Sequence, residues 1–185
     1  MRKATLITIL AILVIGTVGA SAADWKFLGG ALLKKKSGET LAYYDAETIQ
    51  YLSNGNVRVW IKAVDASKVD RLATKKKEII KTAAEKVANG YYPPYVLSNP
   101  NPQPSFDTYM EIIAWEEAAN HAEIKPKAKL LFEINCKDRM IQTLSAVMYK
   151  GDGRTESASD TGKWDHISPE SNGETLHKIL CKEKK

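Results

Sequence analysis

Residues 129–149, KLLFEINCKDRMIQTLSAVMY, constrain the fold of this chain more than any other stretch, because apolar side chains recur there at every second position through two successive runs. Leu130, Phe132, Ile134 and Cys136 alternate with Leu131, Glu133 and Asn135, the pattern of a half-buried strand. The spacing predicts a turn at Lys137-Asp138 and then a second strand, in which Met140, Leu144, Ala146 and Met148 alternate with Ile141, Thr143, Ser145, Val147 and Tyr149. Both faces of that second run are rather apolar, which places it inside a sheet. The hairpin register sets Cys136 at the rim of the sheet, within reach of a cysteine on an element packed against one face. The other cysteine is Cys181.

The chain opens like an export signal. Arg2 and Lys3 form a basic head, residues 6–18 an apolar run, and Ala20-Ser21-Ala22-Ala23 a small-residue cleavage site. The run is shorter than the roughly 20 residues a stable membrane-spanning helix needs, so residues 1–23 read as a cleaved signal peptide. No cysteine follows the small residues, so a lipid-anchored lipoprotein is not expected. Cleavage leaves residues 24–185, a length suited to one domain with a real core. It also lowers the formal charge from +5 to +3, because two basic residues leave with the signal. That mild excess does not make the concentrated basic face nucleic-acid binding requires. In an exported chain two cysteines read as one disulfide, Cys136 with Cys181.

Strand signals precede and helical signals interrupt the hairpin. Trp25, Phe27, Ala31 and Leu33 lead to a turn at Ser37-Gly38 and a strand over residues 40–45, with Gly29-Gly30 marking a bend, a bulge or a close backbone approach. Residues 46–49 read as a short turn or strand edge. The turn Ser53-Asn54-Gly55-Asn56 introduces a clean alternation, Val57, Val59, Ile61 and Ala63 against Arg58, Trp60, Lys62 and Val64. The period then changes. Ser67 with Asp70 resembles a capping box, and Val69, Leu72, Ile79, Ile80, Ala83 and Val87 predict one helix that Asn89-Gly90 ends. Its lysine-rich outer face, balanced by Glu78 and Glu85, reads as solvated. Residues 91–104, with Tyr91-Tyr92-Pro93-Pro94-Tyr95 and three further prolines, read as a loop packed over the sheet or offered as a recognition surface. Ser105 caps a second helix running to about His121. Residues 66–124 therefore form a helical insertion between strands.

Catalytic signals are weak. Glu117 and His121 are four residues apart, which a helix puts on one face, but there is no HExxH and no third ligand with meaningful spacing. His166 and His177 lie near acidic residues without a serine in a nucleophile turn, and both cysteines are assigned to the disulfide. Gly151-Asp152-Gly153 is a hairpin turn rather than a phosphate loop, since no GK[ST] follows. No catalytic residue, metal site or cofactor is expected. At the end of the chain, Trp164-Asp165-His166-Ile167 reads as extended and residues 173–182 as a short helix with Leu176, Ile179 and Leu180 on one stripe. So short a helix is marginal without tertiary help, which Cys181 bonded to Cys136 supplies.

The succession Trp25…Leu28-Gly29, Tyr43-Tyr44-Asp45-Ala46, residues 57–62, Glu133-Ile134-Asn135-Cys136, Arg139, Leu144-Ser145, Tyr149, Trp164 and Ile167…Pro169…Ser171…Glu174…Leu176…Cys181 resembles the surface-adhesin protein E-like family. The resemblance implies an antiparallel sheet with a disulfide-tethered C-terminal helix. For the family's namesake it implies attachment to host extracellular-matrix and serum proteins. The namesake's lipoprotein cysteine has no counterpart here, and none of the matching motifs carries the adhesive positions. The expectation is a single α+β domain, exported to the periplasm or the cell surface, acting as a non-catalytic binding module for a protein partner. A periplasmic inhibitor or assembly factor binding through residues 91–104 is the alternative. A metal-dependent hydrolase built on Glu117 and His121 is a third.

The cleavage site gives the first test. Mass spectrometry of the protein from its host is expected to find Ala23 or Asp24 at the amino terminus, and an intact Met1 or a lipid adduct would overturn export by this route.

Overall fold

The computed structural model describes residues 23–30, 39–98, 105–159 and 162–181. The expected signal peptide, the Ser37-Gly38 turn and the three later prolines of the 91–104 segment lie outside them. Eight strands form one sheet: β1 (Trp25–Gly30), β2 (Thr40–Asp45), β3 (Gln50–Tyr51), β4 (Asn56–Asp65), β5 (Ala128–Asn135), β6 (Met140–Tyr149), β7 (Thr155–Ala158) and β8 (Asp165–His166). The order is β1-β2-β4-β5-β6-β7, with β3 on β4 and β8 on β6, and every pairing is antiparallel. Five α-helices accompany the sheet among the described residues: α1 (Ala66–Lys75), α2 (Lys77–Ala88), α3 (Pro94–Ser98) and α4 (Phe106–Asn120) between β4 and β5, and α5 (Asn172–Leu180) after β8. The expected α+β class, antiparallel sheet and helical segment between strands are all present.

Strand β4 organises the core. The alternation read from sequence sends Val57, Val59 and Ile61 to one apolar cluster and Trp60 and Val64 to the other. One face of the sheet therefore lies under α1, α2 and α4, and the other lies under α5. At the far end of β4, Glu133 of β5 accepts from Asn56 Nδ2 at 2.7 Å and from Arg58 Nε at 2.7 Å. Burial pushes this carboxyl up, but the two donors outweigh it and hold Glu133 below the usual carboxylate range.

Five local expectations need correction. The β5–β6 turn spans Cys136–Arg139 rather than two residues: Asn135 still pairs with Met140, Asn135 Oδ1 accepts from the Asp138 N–H, and Arg139 takes a left-handed φ of 54°. Leu131 pairs with Ser145 but Phe132 with Thr143, so Leu144 is a bulge. The bulge shifts the parity of β6, and Ile141 and Thr143 share the face of Ala146 and Met148, whereas Met140 does not.

The single helix expected after Asp65 is two. Asp65, rather than a Ser67–Asp70 box, caps α1 by accepting from the Ser67 N–H at 3.1 Å, and Lys76 breaks the helix with an extended ψ of 108°. The cause is phase. In an unbroken helix Ile79, ten residues after Val69, would sit about 80° away round the axis and Lys76 would face inward. The break brings both the Val69–Ala73 and Ile79–Ala83 pairs into the core while Lys76 Nζ reaches out to Glu123 at 2.5 Å. Finally, the segment from Tyr91 is not wholly a loop, because Pro94 starts the short helix α3.

Two polar side chains are buried between the sheet and α4. Glu116 Oε1 accepts from the Phe27 N–H of β1 at 2.9 Å and Oε2 from the Tyr91 hydroxyl at 2.8 Å, fixing the helix to the edge strand. Lys62 of β4 donates to the Ala119 carbonyl at 2.6 Å and lies 4.4 Å from the centre of the Trp25 ring. Burial pushes Glu116 up to about 7, against the opposing pull of its Tyr91 and Phe27 donors. Burial, then the charge of Lys129, pushes Lys62 down to about 7.

The signs of these shifts predict opposite slopes. For Glu116 the folded value is raised, so its contribution to stability is complete below about 4.5 and is lost as pH rises to about 7. For Lys62 the folded value is depressed, so its contribution is complete above about 10.5 and is lost as pH falls to about 7. In denaturant titrations across pH, Glu116→Gln is expected to remove the wild-type loss of stability between those acid limits. Lys62→Met is expected to remove the gain on the alkaline side. Variant and wild-type profiles that run parallel would show that folding shifts neither group's titration.

Candidate binding surface

The face of the sheet under α5 is incompletely covered. Leu176 and Leu180 of α5 are buried against Leu28, Ala42, Tyr44 and Ile61, and at its carboxyl end Cys181 is bonded to Cys136, with Cα atoms 5.4 Å apart. His177 reinforces the contact through Nε2, 3.1 Å from the Cys136 carbonyl. The amino end of α5 is fixed separately. Ser171 caps it by accepting from the Glu174 N–H at 3.1 Å, and Glu174 reaches back to accept from the Glu170 N–H at 2.7 Å. The Glu170 N–H, with help from Lys178 and Arg139, holds the Glu174 carboxyl below its usual range.

Gly29 gives the same end its second anchor. The register of β1 slips between Phe27 and Gly29, and a Cβ at Gly29 would fall 2.4 Å from Asn172 Oδ1, while its φ of 152° already disfavours a side chain. Asn172 Nδ2 donates to the Gly30 carbonyl at 3.2 Å. Thus the sequence's glycine pair serves both as a bulge and as a close approach. Between the amino half of α5, the 166–173 turn and the sheet there remains a cleft of about 570 Å³. Leu28, Ile61, Phe132, Ile141, Ile167 and Leu176 make its walls apolar, and His166, Ser168, Glu170 and Asn172 line it with polar atoms. That size and that balance suit a binding site.

Candidate metal residues do not converge. Glu117 is engaged by Lys86, on the helical layer. His121 lies just past the end of α4, with Nε2 3.0 Å from Lys76 Nζ. His166 is on the cleft and His177 is beside the disulfide. Among the described residues no three His, Cys, Asp or Glu side chains are grouped to hold a metal ion. Of the 91–104 segment, Tyr92 is exposed and its ring lies 5.4 Å from that of Tyr109, while Leu97 and Phe106 also face solvent. Sequence reasoning missed the 166–173 wall of the cleft. Its available signal was Ser171 three residues before Glu174, which marks the start of α5.

Residues 106–182 match the family model described as surface-adhesin protein E. The match supports a surface-adhesin protein E-like family. It takes in α4, β5 to β8 and α5, and so most of the cleft lining, while Leu28, Gly30 and Ile61 come from outside it. It is narrower than the resemblance, whose Trp25, Tyr43 and residue 57–62 motifs precede it. No curated protein and no solved structure matches the chain. The surface-adhesin likeness supports an adhesin-like binding role. No helix among the described residues is long and apolar enough to cross a membrane.

The two-ended fixation of α5 makes its tether testable. The bond closes a loop over a sequence separation of 45 residues, worth about 4 kcal/mol on the chain-entropy account. Cys181→Ser is expected to lower Tm by about 8 to 15 °C, with amide protection lost first over Leu176 to Leu180. Unchanged protection there would show that the helix holds without its bond.

Proposed function

We propose that this chain is an exported, non-catalytic binding module that holds an extracellular protein partner at the cleft beside α5. The observation that carries this reading is the apolar cleft of about 570 Å³ whose helical wall is fixed at one end by a disulfide and at the other by Asn172. A wall fixed at both ends loses little freedom when a partner side chain enters, and pre-organisation of that kind favours affinity. The family match supports the adhesin-like class of activity. A partially apolar cleft with Ser168, Asn172 and backbone groups at its edge suits an extended segment carrying a large aliphatic or aromatic side chain.

Surface binding to a panel of purified extracellular-matrix and serum proteins tests the proposal. At least one is expected to bind the purified chain. Phe132→Ser and Ile141→Ser are expected to weaken that binding by about tenfold or more, while leaving the disulfide formed and the variants folded. Binding that survives both substitutions would move the site elsewhere, and absence of binding across the panel would overturn the adhesive reading.

A further inference from the structure

The helical layer holds a second concavity, remote in sequence from the cleft beside α5. A groove of about 530 Å³ lies among α1, α2 and α4. Ala73, Ala83, Ala114, Trp115, Met110 and Ile80 supply its apolar lining. Ile80 is 46 % exposed although it follows the buried Ile79, so α2 presents an aliphatic side chain to the groove that the fold leaves uncovered. The indole N–H of Trp115 is also buried without a hydrogen-bond acceptor among the described residues.

The same groove is lined by three carboxylates, Asp70 on α1 and Asp107 and Glu111 on α4. None forms an ion pair with a described residue, although the chain has 27 Lys and Arg against 22 Asp and Glu. Several carboxylates elsewhere do meet cations. Glu78, Glu85, Glu117, Glu123, Glu156 and Glu174 all pair with lysine. Asp107 and Glu111 stand four apart on α4, an arrangement in which like charges repel. A cation placed between them relieves that repulsion.

We propose that this groove docks a cationic amphipathic segment of a partner polypeptide. Its apolar face covers Ile80 and Met110, and its lysines or arginines meet Asp70, Asp107 and Glu111. Charge complementarity selects this occupant: an acidic segment would add repulsion to the existing pair, and a neutral one would leave three carboxylates beside a newly dried surface. Recognition follows the helix-in-groove mode, with aliphatic anchors for affinity and charge for orientation. Asp70, Ile80 and their helices α1 and α2 lie outside the matched residues 106–182, so this second surface joins matched and unmatched parts of the chain.

The probe is a helical peptide of leucine and lysine, compared with its leucine and glutamate counterpart and titrated into the purified chain by calorimetry. The lysine peptide is expected to bind and the glutamate peptide is not. Asp70→Asn, Asp107→Asn and Glu111→Gln together are expected to weaken binding by at least about tenfold, and Ile80→Ser is expected to weaken it separately. The control variant Glu78→Gln, Glu85→Gln and Glu156→Gln removes as much charge from other exposed positions and is expected to retain the affinity. Melting curves check that each variant is folded. Equal binding of both peptides, equal losses in the control variant, or no binding at all would overturn the proposal. So would a dimer in sedimentation that Ile80→Ser dissociates, because a second copy would then be the groove's occupant.

Discussion

The burial of strand β4 on both faces is the constraint on which the rest of this fold depends. Val57, Val59 and Ile61 point one way, Trp60 and Val64 the other, and all need cover. A sheet with one wet face would leave one of those sets in water. The chain meets this requirement unequally. Three helices from the long β4–β5 connection cover one face, whereas the short helix α5 is the main cover for the other. The thick layer can accommodate buried charge, since Glu116 and Lys62 find partners in α4 and its surroundings. The thin one needs a covalent tether and leaves a cleft.

That inequality also explains which parts of the structure were legible in the sequence. Strands with one side chain per face per two residues announced themselves, and β4 and the β5–β6 hairpin lie where the alternation placed them. Ser105 disclosed the start of α4 because a cap is a local hydrogen bond. The bulge at Leu144 and the break at Lys76 were hidden because each resets a periodicity, and only the partner strand or helix reveals the new phase. Glu116 and Glu117 are adjacent and chemically alike. One is buried beneath β1 and the other meets Lys86, a distinction made by α4's orientation in the fold rather than by composition.

The candidate surfaces were less legible than the elements that make them. The cleft joins Leu28, Ile61, Phe132 and Ile141 from four strands to the 166–173 turn, and no local pattern relates these positions. The Glu117–His121 pair had the opposite character. It satisfied a helical spacing rule, but Glu117 is engaged by Lys86 and His121 by Lys76, and among the described residues no third ligand joins them. Proximity in sequence suggested a site there and distance in sequence concealed the cleft.

The position of the helices within the chain has a kinetic consequence. The β1–β2–β4 and β5–β6–β7 portions each join strands close in sequence, whereas the β4–β5 seam must wait for the ends of the intervening segment, residues 66–127, to meet. Closing a chain of that length costs on the order of 4 kcal/mol of entropy before the seam returns any pairing energy, less what α1 to α4 recover by shortening it. Formation of the seam is therefore expected to be the late, slow event in assembly. Asn56 and Arg58 converge on Glu133 at that seam, and so favour the register in which the two portions meet.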